Sequence, residues 1–261
     1  MNNSELIKKI TEKKEFSQLP QKDVELAFEK FEKRQVSDEE KIKLIRELLH
    51  KVFSSFSSSK LLSPKNKNEE WILRKHLSTR ERLPFYSEIY KRLLAEYKNK
   101  KISIIDLGAG VNGFSCKFLQ NLNFKVDYVG VEAVGQLVEL MNNYFVNKKL
   151  NAKAVHESLF ELEKIKKIIA ETKRPRIIFL FKVLDSLEML ESNYSKKLLK
   201  EIVPLVDRVV ISFATRSMIK RKQFLVKRNW ILNFIGENFQ VLEDFEIGGE
   251  KYISFRTKQL I

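Results

Sequence analysis

From Ile102 to the C-terminus, short apolar segments alternate with amphipathic segments of helical length, and this alternation restricts the possible folds more than any other feature. The first apolar segment, Ile102–Leu107, runs directly into the turn Gly108-Ala109-Gly110. Further apolar segments follow, each separated from the next by a helical pattern, at 126–131, 152–155, 177–181 and 208–213. Strands that alternate with helices usually pair in parallel, with helices on both faces of the sheet. The pattern therefore predicts a doubly wound α/β domain over residues 101–261.

The C-terminal end of this domain follows a different pattern. Residues 241–247 and 252–255 alternate apolar with polar side chains on either side of Gly248-Gly249, which predicts an antiparallel hairpin. A hairpin that closes one edge of a mostly parallel, Rossmann-like sheet of seven strands is typical of class I methyltransferases. We therefore expect this sheet architecture for the α/β domain.

The first hundred residues have the apolar spacing of helices. Ser37 and Ser78 each stand three positions before an acidic residue, Glu40 and Glu81, which is the capping-box pattern of a helix N-terminus. A short serine-rich segment at 54–63 interrupts the helical patterns. We expect an all-helical N-terminal appendage at 1–75, a linker helix with a cofactor-contacting motif at 76–100, and the α/β domain from residue 101.

Composition argues against several classes of protein. The start of the chain lacks the apolar core of a signal peptide, and no apolar run is long enough for a membrane span, so we expect neither secretion nor membrane insertion. One cysteine, Cys116, allows no internal disulfide framework, and three widely separated histidines offer no metal cluster. The sequence therefore predicts a cytoplasmic protein without a metal site, which we expect to be a monomer.

The chain is strongly basic. It carries 49 lysine and arginine residues against 34 aspartate and glutamate residues, a formal net charge of +15. Such an excess draws a protein to polyanions, above all nucleic acid, although a lysine-rich proteome would produce it as well. One segment holds several basic residues and no acidic one, and we interpret these residues as an RNA-binding cluster: Arg216, Lys220, Arg221, Lys222, Lys227 and Arg228.

The glycine turn after the first strand predicts a nucleotide site. Gly108 and Gly110 let the backbone approach a ligand, and Glu132, at the end of the next strand, is placed to accept both hydroxyls of a ribose. This much suits NAD or S-adenosylmethionine (SAM). Asp106 favours SAM, because its carboxylate would repel a pyrophosphate but suits an ammonium and a sulfonium group. The alternatives are NAD and a turn that binds nothing.

The motifs around this turn occur in an order that resembles the order of motifs in a known family. They are the linker segment His76–Leu83, the turn Asp106–Asn112, the fourth-strand segment Phe181–Glu188, the fifth-strand exit Ser212–Ser217, and Trp230 in the following helix. Together they resemble the aminoglycoside-resistance 16S rRNA guanine-N7 methyltransferases, the Arm/Rmt group and its relatives in drug-producing actinomycetes. The resemblance covers about 76–255, and the helical appendage is also similar to that of the family.

The chain departs from the family pattern at three places. Gly113 and Asp185 stand where the family usually has proline, and the segment 218–222 replaces a glycine-rich stretch. We therefore interpret the chain as a divergent relative of this family.

The resemblance implies roles for individual residues. Arg82 would bind the methionine carboxylate of SAM. Apart from the resemblance, Glu157 and Ser158 follow the third strand, where contacts with the adenine commonly lie. The alternatives are a surface arginine at Arg82, a surface glutamate at Glu132, and a lysine at the sheet edge for Lys182. The cofactor-binding residues predicted from the turn, the resemblance and the end of the third strand are His76, Arg82, Asp106, Gly108, Ala109, Gly110, Glu132, Ala133, Glu157, Ser158 and Lys182.

The chemistry implied by the resemblance needs few groups. Guanine N7 has an in-plane lone pair and no proton, so its methylation needs alignment and exclusion of water but no general base. We name no catalytic residue and only two positioning candidates, Lys182 and Arg216. The expected partner is small-subunit rRNA in the assembled 30S particle. The alternatives are a SAM-dependent enzyme of a small molecule or protein, and a non-catalytic RNA-binding or ribosome-assembly factor on the same fold.

Overall fold

A sheet of seven strands crosses the centre of the molecule, of which the computed structural model describes residues 3–54, 58–62, 67–215 and 228–258. The strand order is β3-β2-β1-β4-β5-β7-β6. β1 to β5 run parallel, and β7 is antiparallel to both of its neighbours. The strands are β1 (Lys101–Leu107), β2 (Lys125–Glu132), β3 (Ala152–His156), β4 (Arg176–Phe181), β5 (Arg208–Ala214), β6 (Phe239–Ile247) and β7 (Glu250–Thr257). The predicted fold class is confirmed.

The strand order reverses at β1, which pairs with β2 on one side and with β4 on the other. In sheets of this kind, a crevice opens at the carboxyl ends of the strands where the order reverses. The central strands are apolar on both faces because helices cover both, and Ile104, Ile105, Ile178, Phe179 and Val210 are fully buried. The covering helices are α7 (Cys116–Asn121), α8 (Gly135–Asn147), α9 (Leu162–Ala170), α10 (Leu184–Leu190), α11 (Tyr194–Ile202) and α12 (Asn229–Asn238).

The N-terminal residues are helical, as the spacing predicts. The helices are α1 (Asn3–Thr11), α2 (Gln21–Glu29), α3 (Asp38–Leu49), which continues into one π-helical turn (His50–Ser54), and α4 (Glu69–Lys75). Ser37 caps α3, since its hydroxyl accepts a hydrogen bond from the Glu40 backbone N–H at 3.2 Å. The apolar faces of these helices belong to one continuous core with the sheet. None of the helices within the described ranges is long and apolar enough to cross a membrane.

The linker region differs from the sequence-based expectation at its start. Two helices, α5 (Leu77–Arg82) and α6 (Tyr86–Leu93), replace the single expected helix. Ser78 does not cap either of them, because His76 is the N-terminal flanking residue of α5 and Ser78 lies inside it. The Ser78 hydroxyl instead accepts a hydrogen bond from the Arg82 guanidinium, and Glu81 pairs with Lys182. The capping-box interpretation of Ser78 is therefore wrong, since Arg82, in the same helix, takes the Ser78 side chain, and Lys182, just after β4, takes the Glu81 side chain.

Candidate active site

A cavity opens at the carboxyl ends of β1, β2 and β4. Eight of the eleven residues predicted to contact the cofactor line it: His76, Arg82, Asp106, Gly108, Ala109, Glu132, Ala133 and Lys182. Apolar side chains, among them Leu137, Leu159 and Phe160, form much of the remaining wall. A largely apolar cavity with a few convergent polar groups is the usual form of a small-molecule site.

The glycine turn forms one edge of the cavity, and its conformation and close packing require glycine at two positions. Gly108 and Gly110 have φ angles of +73° and +55°, a region that residues with a Cβ rarely adopt. A Cβ at Gly108 would stand 2.6 Å from Val183 Cγ2, and one at Gly110 would stand 2.9 Å from His76 Nε2. The turn therefore brings bare backbone to the cavity, with His76 and Val183 packed against it.

Asp106 is held rigidly below the turn. Its side chain is 1% exposed, and Oδ2 accepts hydrogen bonds from Asn112 Nδ2 and the Tyr128 hydroxyl, both at 2.7 Å. Burial raises the pKa of the Asp106 carboxyl, and these two hydrogen bonds oppose the shift. The arrangement fixes a carboxyl group at the point where β1 enters the turn.

Glu132 joins the ends of β2 and of the glycine turn. Its Oε2 accepts from the Gly110 backbone N–H at 2.7 Å, and its Oε1 accepts from the Val134 backbone N–H at 2.9 Å. Burial raises the pKa of its carboxyl, and these backbone hydrogen bonds lower it again in part. Glu132 is thus no surface glutamate, since it is 7% exposed and shapes the turn it faces.

Two buried cations on the cavity wall, Arg82 and Lys182, share one carboxylate. Arg82 Nε and Lys182 Nζ lie 3.2 and 3.1 Å from Glu250 Oε2, and Lys182 also pairs with Glu81. Burial alone would raise the pKa of the Glu250 carboxyl, but the Arg82 and Lys182 charges lower it overall. A buried charge is tolerable when it is paired in this way.

The guanidinium of Arg82 is also fixed by polar neighbours. Nη1 donates to Asn112 Oδ1 at 3.0 Å and Nη2 donates to the Ser78 hydroxyl, while the Phe181 ring lies 4.8 Å away. With the bond to Glu250, these contacts use three of the five guanidinium N–H groups. Arg82 is therefore no surface arginine, and two N–H groups are left for a ligand.

The sequence did not indicate Glu250 or Asn112 as parts of this network. Glu250 follows the Gly248-Gly249 turn at the start of β7, and its contact with Arg82 spans 168 residues of chain. Asn112 stood within the recognised turn motif but was assigned no partner. An acidic residue in an otherwise buried strand was the one available signal for Glu250, since such a residue requires a cation.

His76 lies against the glycine turn as a neutral side chain. Burial and then the charges of Arg82 and Lys182 lower its pKa to about 3. Its Nδ1 is buried and has no hydrogen-bond partner among the described residues. An unpaired ring nitrogen beside the cavity marks a position where a ligand or water can bind.

Three predicted cofactor residues, Gly110, Glu157 and Ser158, are not part of the cavity wall. Glu157 pairs with Lys164 at 3.2 Å, and its Oε1 accepts from the Ser158 backbone N–H. Ser158 is fully buried, and its Oγ accepts from the Phe160 backbone N–H at 3.1 Å. The next residues, Leu159 and Phe160, are the ones that reach the cavity.

Most of the basic cluster lies outside the described residues, namely Arg216, Lys220, Arg221, Lys222 and Lys227. Arg228 is described, and its Nη2 lies 2.7 Å from Asp185 Oδ2 while Nη1 donates to the Ala214 carbonyl. Its guanidinium also covers the Phe213 ring at 4.8 Å. Arg228 therefore joins the start of α12 to β5 and α10.

Neither the single cysteine nor a metal-ligand cluster contributes to the cavity among the described residues. Cys116, the first residue of α7, is buried and does not line the cavity, and burial raises the pKa of its thiol. A buried thiol with a raised pKa is a poor nucleophile. No group of three or more potential metal ligands occurs within the described ranges.

The fold is similar to those of several solved structures at low sequence identity. The 16S rRNA methyltransferase RmtF in complex with S-adenosyl-L-homocysteine has a TM-score of 0.79 and 17% identity, covering 99% of this chain and 100% of that chain. The 16S rRNA methylase RmtB has a TM-score of 0.75 and 17% identity, covering 99% of both chains. An rRNA methylase from Escherichia coli has a TM-score of 0.75 and 16% identity, covering 98% of this chain and 100% of that one.

Sheet order, glycine turn and cavity together define a class I methyltransferase fold. None of the curated protein sequences matches the chain. The family model described as ribosomal RNA methyltransferase (FmrO) matches residues 67–230. The chain therefore belongs to the FmrO family of ribosomal RNA methyltransferases, and the relationship drawn from its motifs is confirmed.

Proposed function

We propose that the protein transfers a methyl group from SAM to N7 of a guanine in 16S rRNA, and that it acts in the cytoplasm as a monomer on the assembled small subunit. The observation that carries this proposal is the meeting of Arg82, Asp106, Glu132 and Lys182 around one cavity at the glycine turn, in a chain of an rRNA methyltransferase family.

The residues of the cavity match the charges of SAM. Glu132 would accept the ribose hydroxyls beside the Gly108–Gly110 backbone. Arg82, with two unused N–H groups, would bind the methionine carboxylate, and Asp106 would lie near the ammonium group. Val183 and His76 pack against the glycine backbone where a Cβ would otherwise stand, which fixes the turn at the cavity. The Asn112 side chain binds both Arg82 and Asp106, so these opposite charges lie close together, as the adjacent carboxylate and ammonium groups of the methionine moiety require.

The reaction asks the protein mainly for alignment. SAM, when bound, supplies an electrophilic methyl group. Guanine N7 offers a lone pair without a proton, so no side chain has to accept one. His76, with its pKa lowered to about 3, stays neutral at physiological pH and adds no charge near the reacting atoms. Leu137, Phe160 and Phe181 give the cavity apolar walls that exclude water.

Recognition of folded RNA fits the charge of the chain. The net charge of +15 favours a polyanion, and the cluster from Arg216 to Arg228 follows β5, next to the strand that ends at the cavity. We assign the helical appendage, 1–75, to docking on the small subunit and 76–100 to the link between RNA and cofactor. Lys182 has a φ of +60°, an unusual conformation for lysine, and supports a positioning role beside the target base.

The proposal is tested by methylation of 30S subunits and of naked 16S rRNA with radiolabelled SAM. An N7-methylated guanine carries a fixed positive charge, so reduction followed by aniline treatment cleaves the strand at that base. We expect cleavage at one guanine of the decoding region, with 30S subunits as the better substrate. Methylation of another atom, such as adenine N1, would overturn the N7 assignment. Binding of SAM without transfer to any RNA would favour a small-molecule or protein substrate.

A further inference from the structure

The appendage places a carboxylate in the cofactor cavity. Asp23, in helix α2, is 1% exposed and lines the same cavity as Asp106 and Glu132. It is the only residue of α2 on that wall among the described residues. The motifs of the sequence gave Asp23 no role, because it lies more than fifty residues before the first of them.

One oxygen of Asp23 has a partner and the other does not. The Ser158 hydroxyl hydrogen-bonds to the carboxyl group, while Oδ2 is buried without a hydrogen-bond partner among the described residues. Burial, together with Glu132 and Glu157, raises the pKa of this carboxyl to about 7, a shift that the Ser158 bond opposes. A buried acceptor without a donor is rare in folded proteins and marks a position that a ligand or water completes.

The appendage contacts the start of α8 and the cavity wall at several points. The Gly135 backbone N–H, at the start of α8, donates to the Gln18 carbonyl at 3.3 Å, and Gln136 Nε2 donates to the Lys14 carbonyl at 2.9 Å. Phe53, after α3, lies on the cavity wall as well. The segment that directly precedes α2 is therefore packed on α8, the helix that follows Glu132.

We propose that Asp23 Oδ2 accepts a hydrogen bond from the exocyclic amine of the cofactor's adenine, so that the appendage completes the SAM site. This inference rests on the proposed function, in which SAM fills the cavity. Glu132 takes the ribose, which places the base toward the end of β3, where Ser158, Leu159 and Phe160 lie. Leu159 and Phe160 offer apolar surface to the faces of a base, and Asp23 offers an acceptor to its one exocyclic donor.

The variant Asp23→Asn separates this role from a merely structural one. Ser158 Oγ already accepts from the Phe160 backbone N–H, so its own O–H donates to Asp23. In the variant, the amide oxygen would keep that bond, and the amide nitrogen would take the place of Oδ2. A donor would then face the adenine amine, and the hydrogen bond would be lost without a change in side-chain size.

The experiment is calorimetric binding of S-adenosylhomocysteine and of its 6-deamino analogue, in which hydrogen replaces the exocyclic amine. At about pH 8.5, above its pKa of about 7, the Asp23 carboxyl is ionised, and for the wild type we expect removal of the amine to weaken binding about 10- to 100-fold, as for a hydrogen bond to a charged group. For Asp23→Asn, we expect removal of the amine to change affinity less than about threefold. Glu29→Gln, at the exposed end of the same helix, should retain the wild-type ratio.

Other outcomes overturn the inference or the function beneath it. An equal loss of affinity for both ligands in Asp23→Asn would make Asp23 a structural residue only. A wild-type affinity that depends on the 2′-hydroxyl but not on the amine would assign Oδ2 to the ribose and refute the adenine contact. If S-adenosylhomocysteine does not bind the wild type at all, the proposed function itself fails.

Discussion

At the scale of single residues, Glu132 provides a direct test of the cofactor site. Glu132→Ala would strand the ribose hydroxyls and also release the Gly110 and Val134 backbone N–H groups. We expect affinity for S-adenosylhomocysteine to fall by about 1–3 kcal/mol, because unpaired polar groups keep their desolvation cost. Isothermal titration calorimetry measures this change directly.

The matched control for Glu132 is Glu157, the other acidic residue that the sequence placed at the cofactor. The structure pairs Glu157 with Lys164 beside the cavity. Because Glu157 is not on the cavity wall, Glu157→Ala should change the affinity by less than about 0.5 kcal/mol. Equal losses in both variants would mean that the cavity described here is not the cofactor site. Binding of NAD in place of S-adenosylhomocysteine would refute it as well.

The sequence could indicate Asp106 and Glu132 because both stand at fixed positions around a local turn. It could not indicate Glu250 or Asp23, since Glu250 binds Arg82 and Asp23 reaches the cavity from distant parts of the chain. Two departures from the family pattern are also explained only in three dimensions. A Cβ at Gly113 would stand 2.6 Å from Phe145 Cζ, and Asp185 binds Arg228.

Asp23 should make stability depend on pH. Its pKa of about 7 in the folded chain is above its ordinary value of 3.8, so the folded state binds more protons than the unfolded state between these values. Its contribution therefore destabilises the fold progressively as pH rises from about 4 to 7. The difference in free energy of unfolding between Asp23→Asn and the wild type should therefore be larger at pH 8 than at pH 5 by roughly 2–3 kcal/mol, in favour of the variant. Urea unfolding at both pH values measures this; a constant difference between the two proteins would contradict the shift.

At the scale of secondary-structure elements, the β6–β7 hairpin depends on its glycines. Gly248 has a φ of +62°, and a Cβ there would stand 2.4 Å from Phe85 Cδ2. Gly248→Ala should lower the free energy of unfolding by about 1–3 kcal/mol, through backbone strain and this clash. Because the turn precedes Glu250, the variant should also weaken S-adenosylhomocysteine binding. Thermal and denaturant unfolding measure the stability loss.

The helix α12 supplies the opposite case for comparison. Gly236 lies inside α12, and a Cβ there would meet nothing within 4 Å. Gly236→Ala should stabilise the protein by about 0.5–1 kcal/mol, because alanine loses less backbone entropy in a helix. If both alanine variants destabilise equally, the positive φ of Gly248 is not the cause.

The elements also show which local signals can be trusted. The capping pattern at Ser37 was correct because its hydroxyl is exposed and has only the helix terminus to bind. The same pattern at Ser78 does not form a cap, because the Ser78 hydroxyl binds Arg82 and the Glu81 carboxylate binds Lys182 in the buried site. Local sequence preference therefore determines the capping at the exposed start of α3, whereas buried charged partners determine the contacts of Ser78 and Glu81 in α5.

At the scale of the whole molecule, the sheet order followed from alternation and the C-terminal hairpin, both of which are visible in the sequence. The fit of the appendage to the sheet did not follow. The amphipathic pattern of its helices predicts that each has a buried face, but it does not predict which surface covers that face. Gln18 and Asp23 contact the α/β domain, and no local sequence pattern indicates these contacts. An appendage expected only at the RNA therefore also forms part of the cofactor cavity.

Electrostatic binding of the whole protein to RNA provides the last prediction. Each phosphate contact releases counterions, so log affinity falls by about 0.7–0.9 per log unit of salt for each contact. Replacement of Lys220, Arg221 and Lys222 together by alanine should weaken binding to 30S subunits and reduce the salt slope by about 2–3. Affinity for S-adenosylhomocysteine should not change. The measurement is filter binding over a series of salt concentrations.

The control for this triple variant removes the same charge from the opposite edge of the sheet. Lys98 and Lys100 precede β1, Lys125 opens β2, and all three are exposed at the amino ends of the strands. Since the cavity lies at the carboxyl ends, their replacement should leave the salt slope within about one contact of the wild type. Equal slopes in both triple variants would show that RNA binding responds to net charge alone, and the cluster at 216–228 would then have no special place in recognition.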